Sequence, residues 1–396
     1  MSHLADQGTM LPCYVDQTFR DYLECGRLEH GFLRVQCEKC HAERLVAFSC
    51  KRRGFCPSCS ASRMVESAAL LMTEILPEQP HRQWVLSVPY PLRWLFAQNP
   101  EVMGKALKVV IRVISSYLIK RAGKSHKSAK TGAVTLIQRF GSALNLNVHF
   151  HMLFLDGVYV TTGKCPIFRR IKAPTGEELT DLVQQISVRI ALMLERNGLI
   201  ERDQDNTYLD LDGLEQDGIS ELQSHSISYR IAVGPRKGQK ALTLQTLQAQ
   251  PPTDVASGLV GKVTGFSLHA GVAAKAHERS KVERLCRYIT RPPVAETRLS
   301  LTENGKIRYE LKTPYRNGTT HIIFEPLDFM ARLAARVPNP RVDLTRFHGD
   351  YAPNRKLRSV ITSGNKKKAD NIKKKKINDD QSDVSRRAAK DARLHA

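Results

Sequence analysis

Leu144-Asn145-Leu146-Asn147-Val148-His149-Phe150-His151-Met152-Leu153-Phe154-Leu155-Asp156-Gly157 sets two histidines, one residue apart, in a largely apolar run. Val148, Phe150, Met152 and Phe154 share one parity; Asn147, His149, His151 and Leu153 share the other. Side chains on a β-strand alternate between faces, so the two imidazoles stand side by side on one of them. Apolar residues on both parities predict a strand buried within a sheet, where ring nitrogens need partners. Neutral imidazole is a common metal ligand, and two on one strand face, separated by one residue, can hold a single ion. A hydrogen-bonded pair without metal is the plainer alternative for an arbitrary His-x-His, so the rest of the chain has to decide. Asp156-Gly157 predicts a turn that ends the strand.

Outward from this strand, residues 133–137 and 84–88 read as further buried strands, the first joined to the histidine strand by a short turn at Gly141-Ser142. Met64, Ala68, Leu71 and Ile75 recur at helical steps until Pro77, and Val102, Ala106, Val109, Val113 and Tyr117 mark a helix over 101–121. Thr175-Gly176-Glu177-Glu178 is a capping box that opens a third helix. Residues 200–260 yield only a strand near 227–231, and 265–270 yield another. Residues 278–289 form a helix with Val282, Leu285, Cys286 and Ile289 in one stripe, ended by Arg291-Pro292-Pro293. Hairpin links among strands covered by helices predict an α+β fold with a central antiparallel sheet. No glycine-rich phosphate loop follows a predicted strand, which argues against nucleoside-triphosphate hydrolysis.

Seven of the nine cysteines fall between Cys13 and Cys59. Cys37-x-x-Cys40 and Cys56-Pro57-x-Cys59, with a spacer of 15 residues, have the spacing of a four-thiolate zinc ribbon. Cys25, His30, His41 and Cys50 offer a second site or a replacement ligand, while Cys13 and Cys25 read as ordinary free cysteines. Basic Lys51, Arg52 and Arg53 sit beside the knuckle. Thiol ligands without a secretory signal predict a reducing cytoplasm.

The chain has 396 residues and a net charge of +22. Such an excess predicts a polyanionic partner, with nucleic acid ahead of an anionic membrane surface. No run approaches the about 18 consecutive apolar residues of a membrane span, so no membrane partner is expected. The lysine- and arginine-rich segment 364–396, which lacks aromatic residues, reads as a disordered basic arm.

Tyr288 borders the apolar stripe of its helix, with Arg284 one turn earlier and Arg287 and Arg291 nearby. A phenol of pKa about 10 is a poor nucleophile until a cation or a metal-bound phosphate lowers the cost of its phenolate. Paired with a metal-binding histidine strand, it suits attack on a phosphodiester.

Taken together, the paired cysteine knuckles, His149-Phe150-His151 leading into Leu155-Asp156-Gly157-Val158-Tyr159, and Arg284-Leu285-Cys286-Arg287-Tyr288-Ile289-x-Arg291-Pro292-Pro293 resemble rolling-circle transposases of the insertion-sequence ninety-one family. Gly265-Phe266-Ser267-Leu268-His269-Ala270, Gly318-Thr319-Thr320-His321 and Phe347-His348-Gly349-x-Tyr351-Ala352-Pro353-Asn354 extend the similarity from about Cys25 to Leu357. The resemblance implies a zinc-binding region over 1–76, an HUH single-strand endonuclease domain over 77–300, its extension over 301–363, and the tail. It implies structural Zn²⁺, catalytic Mg²⁺ or Mn²⁺ at His149 and His151, and a tyrosine that becomes joined to a DNA 5′ phosphate. Single-stranded DNA at element ends and target DNA would be the partners, in a bacterial cytoplasm at the nucleoid. Two-tyrosine members carry a second tyrosine one turn before the first; here that position is Arg284, which places the chain with the single-tyrosine branch. The third metal ligand is expected at His269, with Asn147 as the alternative. Tyr288 is the expected nucleophile; Arg284, Arg287, Arg291, Lys51, Arg52 and Arg53 are expected on DNA. Two other readings stay open: a non-catalytic zinc-ribbon DNA-binding protein, and a phosphodiesterase in which metal-activated water attacks.

Overall fold

The computed structural model describes residues 10–161, 166–202, 207–209, 217–246 and 259–362. The expected basic arm lies outside the described residues. The amino-terminal region contains α1 (Cys13–Glu24), a hairpin of β1 (Phe32–Gln36) and β2 (Glu43–Ala47), and α2 (Pro57–Leu70). Pro57 takes the first position of α2, where its missing N–H costs nothing. The helix runs on through a π turn at Leu71–Ile75.

Then follow β3 (His81–Ser87), α3 (Tyr90–Gln98), α4 (Pro100–Arg121), β4 (Gly132–Phe140), β5 (Leu146–Leu155) and α5 (Gly176–Arg196). After these come α6 (Gly218–Ile227), β6 (Val260–Val263), β7 (Phe266–Ala274), α7 (Arg279–Ile289), α8 (Pro326–Arg336) and β8 (Thr345–Gly349). The capping box of α5 forms as read: Thr175 Oγ1 accepts from the Glu178 amide at 3.2 Å, and the Glu178 carboxylate accepts from the Thr175 amide at 2.8 Å.

A six-stranded antiparallel sheet in the order β6-β7-β3-β5-β4-β8 organises the chain, with the histidine strand β5 in its interior. The fold is thus α+β, as expected. Its last strand comes from residues 345–349, so the segment after residue 300 completes the same sheet.

The two parities of β5 face different layers. Val148, Phe150, Met152 and Phe154 join Trp84 and the apolar sides of α3, α4 and α5 in the main core. Leu153 and Leu155 pack with Ala68, Leu71 and Ile75 from α2 and its π turn, and with Val282, Cys286 and Ile289 from α7. Full burial of a side chain such as Val282 or Ile289 contributes about 1.5–3 kcal/mol. The helix that carries Tyr288 is therefore pressed by its own apolar stripe onto the histidine face of the sheet.

Two local expectations are corrected. Residues 227–231 are not a strand: Asp217 caps α6 by accepting from the Ser220 amide at 2.9 Å, the helix runs to Ile227, and Arg230 makes only an isolated bridge to Lys240. Ile219, Leu222 and Ile227 are its buried apolar positions. Asp156-Gly157 is a bend rather than a hairpin turn, because the chain continues into strand Gly157–Thr161 of a separate three-stranded sheet. There Asp156 receives both Nε and Nη2 of buried Arg82, at 2.8 and 3.0 Å. A Cβ on Gly157 would stand 2.4 Å from the Arg169 carbonyl oxygen, so only glycine permits this approach.

Candidate active site and zinc centre

His149 and His151 share one face of β5 and bring their Nε2 atoms to 3.0 Å. Two nitrogens each about 2.1 Å from an octahedral ion, at right angles, also lie about 3.0 Å apart. His149 donates its Nδ1 proton to the Asn147 carbonyl at 2.9 Å, which leaves Nε2 its lone pair. His151 Nδ1 lies 2.9 Å from the amide of Gln83 on β3. Burial pushes both imidazoles down, His149 to about 4 and His151 to about 2, His151 also through its neighbour His149. Both are neutral, the form that binds metal.

Register places Gln138 of β4 directly opposite His149. Its Oε1 and the Oδ1 of Asn147 are buried without a partner among the described residues. Two orphaned amide oxygens beside two neutral imidazoles are a donor set suited to a hard divalent cation that also accepts nitrogen.

Tyr288 is brought to this pair. Its ring meets that of His151 edge-on, with centroids 6.0 Å apart at 82°, and the residue remains 38% exposed. Two cations flank the ring: the Arg291 guanidinium carbon lies 4.4 Å and Lys312 Nζ 4.8 Å from its centroid. The helix is fastened at both ends. Arg279 donates to the Met72, Leu76 and Pro77 carbonyls that follow α2, and Gln138 Nε2 donates to the Ile289 carbonyl at 2.7 Å. Gln138 thus touches the last turn of α7 while facing His149.

His269 stands in the same cross-strand row as His151, with Val85 between them. Its ring folds back over its own strand, 3.0 Å from where a Cβ on Gly271 would be. Among the described residues the one convergent group of three or more His, Cys, Asp or Glu ligands is made of cysteines, so the structure does not bring His269 to the pair. Tyr351 is fully buried with its hydroxyl 2.8 Å from His81 Nε2, and Tyr315 lies against Ser142.

The cysteine group is Cys25, Cys50, Cys56 and Cys59, whose sulfurs lie within 4.8 Å of one another. The sulfurs of Cys25 and Cys56 are 3.7 Å apart, those of Cys25 and Cys59 3.6 Å and those of Cys50 and Cys59 3.5 Å. A tetrahedral zinc with Zn–S of about 2.3 Å sets sulfurs about 3.8 Å apart, so the group fits that ion. Half of the expected ligand set is therefore different: Cys37 and Cys40 sit in the exposed turn between β1 and β2, and Cys25 and Cys50 take their places. The turn keeps a knuckle shape, and the amides of Cys40 and Lys39 hold the Cys37 thiol below its ordinary range.

Of the expected DNA contacts, Arg284 is exposed on α7, and Arg287 is held by Glu283 at 2.8 Å. Arg52 pairs with Asp21, Lys51 is exposed, and Arg53 donates to the Val342 carbonyl at 2.7 Å. Sequence reasoning missed Gln83, Gln138 and Lys312. For the two glutamines the usable signal was their parity on β3 and β4, readable only once strand pairing is known; Lys312 lies in a loop and gave none.

Residues 132–358 match the Y2_Tnp transposase family, and residues 2–88 match the IS91 transposase zinc-binding domain. No curated protein and no solved structure matches the chain. With more than half of its length in the first match and its four-cysteine group inside the second, the chain belongs to the Y2_Tnp transposases, as an IS91-type transposase with a zinc-binding domain ahead of its central sheet.

Proposed function

We propose that this transposase cuts and rejoins single-stranded DNA at element ends through Tyr288, in a rolling-circle scheme that uses one tyrosine. The observation that carries the reading is the 6.0 Å approach of the Tyr288 and His151 rings, which puts an accessible phenol beside a metal-suited imidazole pair. His149 and His151 would hold Mg²⁺ or Mn²⁺, with Gln138 and Asn147 supplying amide oxygens in place of His269. Such an ion supplies Lewis-acid polarisation of the scissile phosphate. Cys25, Cys50, Cys56 and Cys59 would hold the structural zinc.

The chain's own residues do the rest. Arg291 and Lys312 set positive charge beside the Tyr288 ring to meet the phosphate as Tyr288 Oη, giving its proton to solvent, attacks phosphorus. The P–O3′ bond breaks, the 3′ oxygen takes up a proton, and a phosphotyrosyl bond to the 5′ side forms. Reversal by a 3′ hydroxyl rejoins the strand. Arg284, one turn before Tyr288 on α7, leaves a single tyrosine on this helix, which favours one nucleophile over two that alternate.

Purified protein incubated with labelled single-stranded DNA from the element ends should give a Mn²⁺-dependent covalent adduct. Tyr288→Phe should abolish it, and His151→Ala should reduce it by at least about 100-fold. Cleavage that persists in Tyr288→Phe without an adduct would assign the chemistry to metal-activated water.

A further inference from the structure

A cavity of about 260 Å³ between the zinc-binding region and the central sheet concentrates positive charge, of which the steps above use only Arg291. Five arginines line it: Arg53 and Arg63 from the amino-terminal region, Arg139 on β4, Arg291 after α7 and Arg336 at the end of α8. Asp343 is the one acid on its wall, and none of the five pairs with a carboxylate among the described residues. Arg139 and Arg336 are only 5% and 2% exposed. Even so, Nε and Nη2 of Arg139 and both Nη atoms of Arg336 lack hydrogen-bond partners among the described residues. Arg139 has a long contact from Nη1 to the Ala97 carbonyl at 3.5 Å, and Arg336 donates from Nε to the Arg332 carbonyl at 3.2 Å. Burial pushes each down to about 10, which leaves both charged at neutral pH.

Unpaired buried guanidinium groups are costly, and a planar fork of N–H donors matches the oxygens of a phosphate. The cavity also adjoins the tyrosine site. Gln138, opposite His149, lies on its wall with Ile289 and Arg291, and Arg291 covers the Tyr288 ring.

We propose that this cavity is a phosphate subsite, which receives a backbone phosphate of the cleaved strand next to the one that Tyr288 attacks. The assignment of that phosphate rests on the tyrosine reading above. Its arginines would fix the register of the strand before the phenol reacts.

Full-length Tyr288→Phe protein is titrated with a single-stranded oligonucleotide spanning the element end, each phosphate replaced in turn by a neutral methylphosphonate. One replacement beside the scissile phosphate should weaken binding by about tenfold, the scale of a lost charge-assisted hydrogen bond. Adding Arg139→Gln should shrink that penalty toward none while the penalties at other positions persist. Arg63→Gln, whose guanidinium bonds the Lys51 and Arg52 carbonyls, should shrink it in part and guards against a folding defect in the buried variant. An unchanged penalty profile in both variants would overturn the subsite. So would loss, in Arg139→Gln, of thermal protection by inorganic phosphate with no change in the profile, since the ligand would then be free phosphate. Position-specific coupling, together with failure of the wild-type protein to form an adduct on the same end DNA, would sink the tyrosine reading and leave the subsite standing.

Discussion

At the scale of single residues, the two imidazoles differ in what holds them. His149 has its Nδ1 proton fixed by a backbone carbonyl, but His151 depends on the Gln83 side chain. To bind metal through Nε2, His151 must carry its proton on Nδ1 and donate it to the Gln83 oxygen, which a half-turn of the amide provides. Gln83→Leu removes that acceptor. Mn²⁺ affinity measured by titration calorimetry should fall about 10- to 100-fold while zinc content stays constant, and Gln83→Glu should restore binding. Unchanged Mn²⁺ affinity in Gln83→Leu would show that the glutamine does not orient the ligand. This residue explains what the sequence could convey. The pair His149 and His151 and the border position of Tyr288 are local patterns, legible along one strand and one helix. Gln83 and Gln138 reach the same face from neighbouring strands, so their roles depend on a pairing that sequence spacing does not encode.

At the scale of elements, the zinc region shows the same division. Cys56-x-x-Cys59 lies at the start of α2 and was legible as a knuckle, as was Cys37-x-x-Cys40. Which cysteines meet them is decided by hairpin closure. The Gly26 amide bonds the Phe48 carbonyl at 2.9 Å, and the Phe48 amide bonds the Gly31 carbonyl at 3.0 Å, so the β1–β2 hairpin closes at its base. That closure delivers the Cys50 amide to the Cys25 sulfur at 3.3 Å and carries Cys37 and Cys40 to the far turn. Cys25→Ser or Cys50→Ser should therefore lose bound zinc and lower the melting temperature. Cys37→Ser should keep the zinc of this group, with metal content read by mass spectrometry. A Cys37→Ser protein that loses the zinc while Cys25→Ser keeps it would restore the ligand set that the motif spacing favoured. The helix carrying Tyr288 was legible for a different reason: its apolar stripe, Val282, Cys286 and Ile289, is the surface it buries.

At the scale of the whole molecule, the six-stranded sheet divides the labour. One face is closed by α3, α4 and α5 into a dry core; the other carries the imidazoles, with α2 and α7 laid across it. The zinc-binding region is joined to that second face through α2, so it helps shape the arginine-lined cavity beside the tyrosine. The net charge of +22 was legible from composition as attraction to a polyanion. The gathering of five arginines around one cavity was not, because they come from positions 53 to 336 and meet only in the fold. Mapping the covalent product tests whether Tyr288 is the nucleophile. Wild-type protein, single-stranded end DNA and Mn²⁺ are allowed to react, the protein is digested, and the peptides are sequenced by mass spectrometry. The account predicts a nucleotide joined through its 5′ phosphate to Tyr288; a nucleotide on any other residue, or cut DNA with none attached, would contradict it.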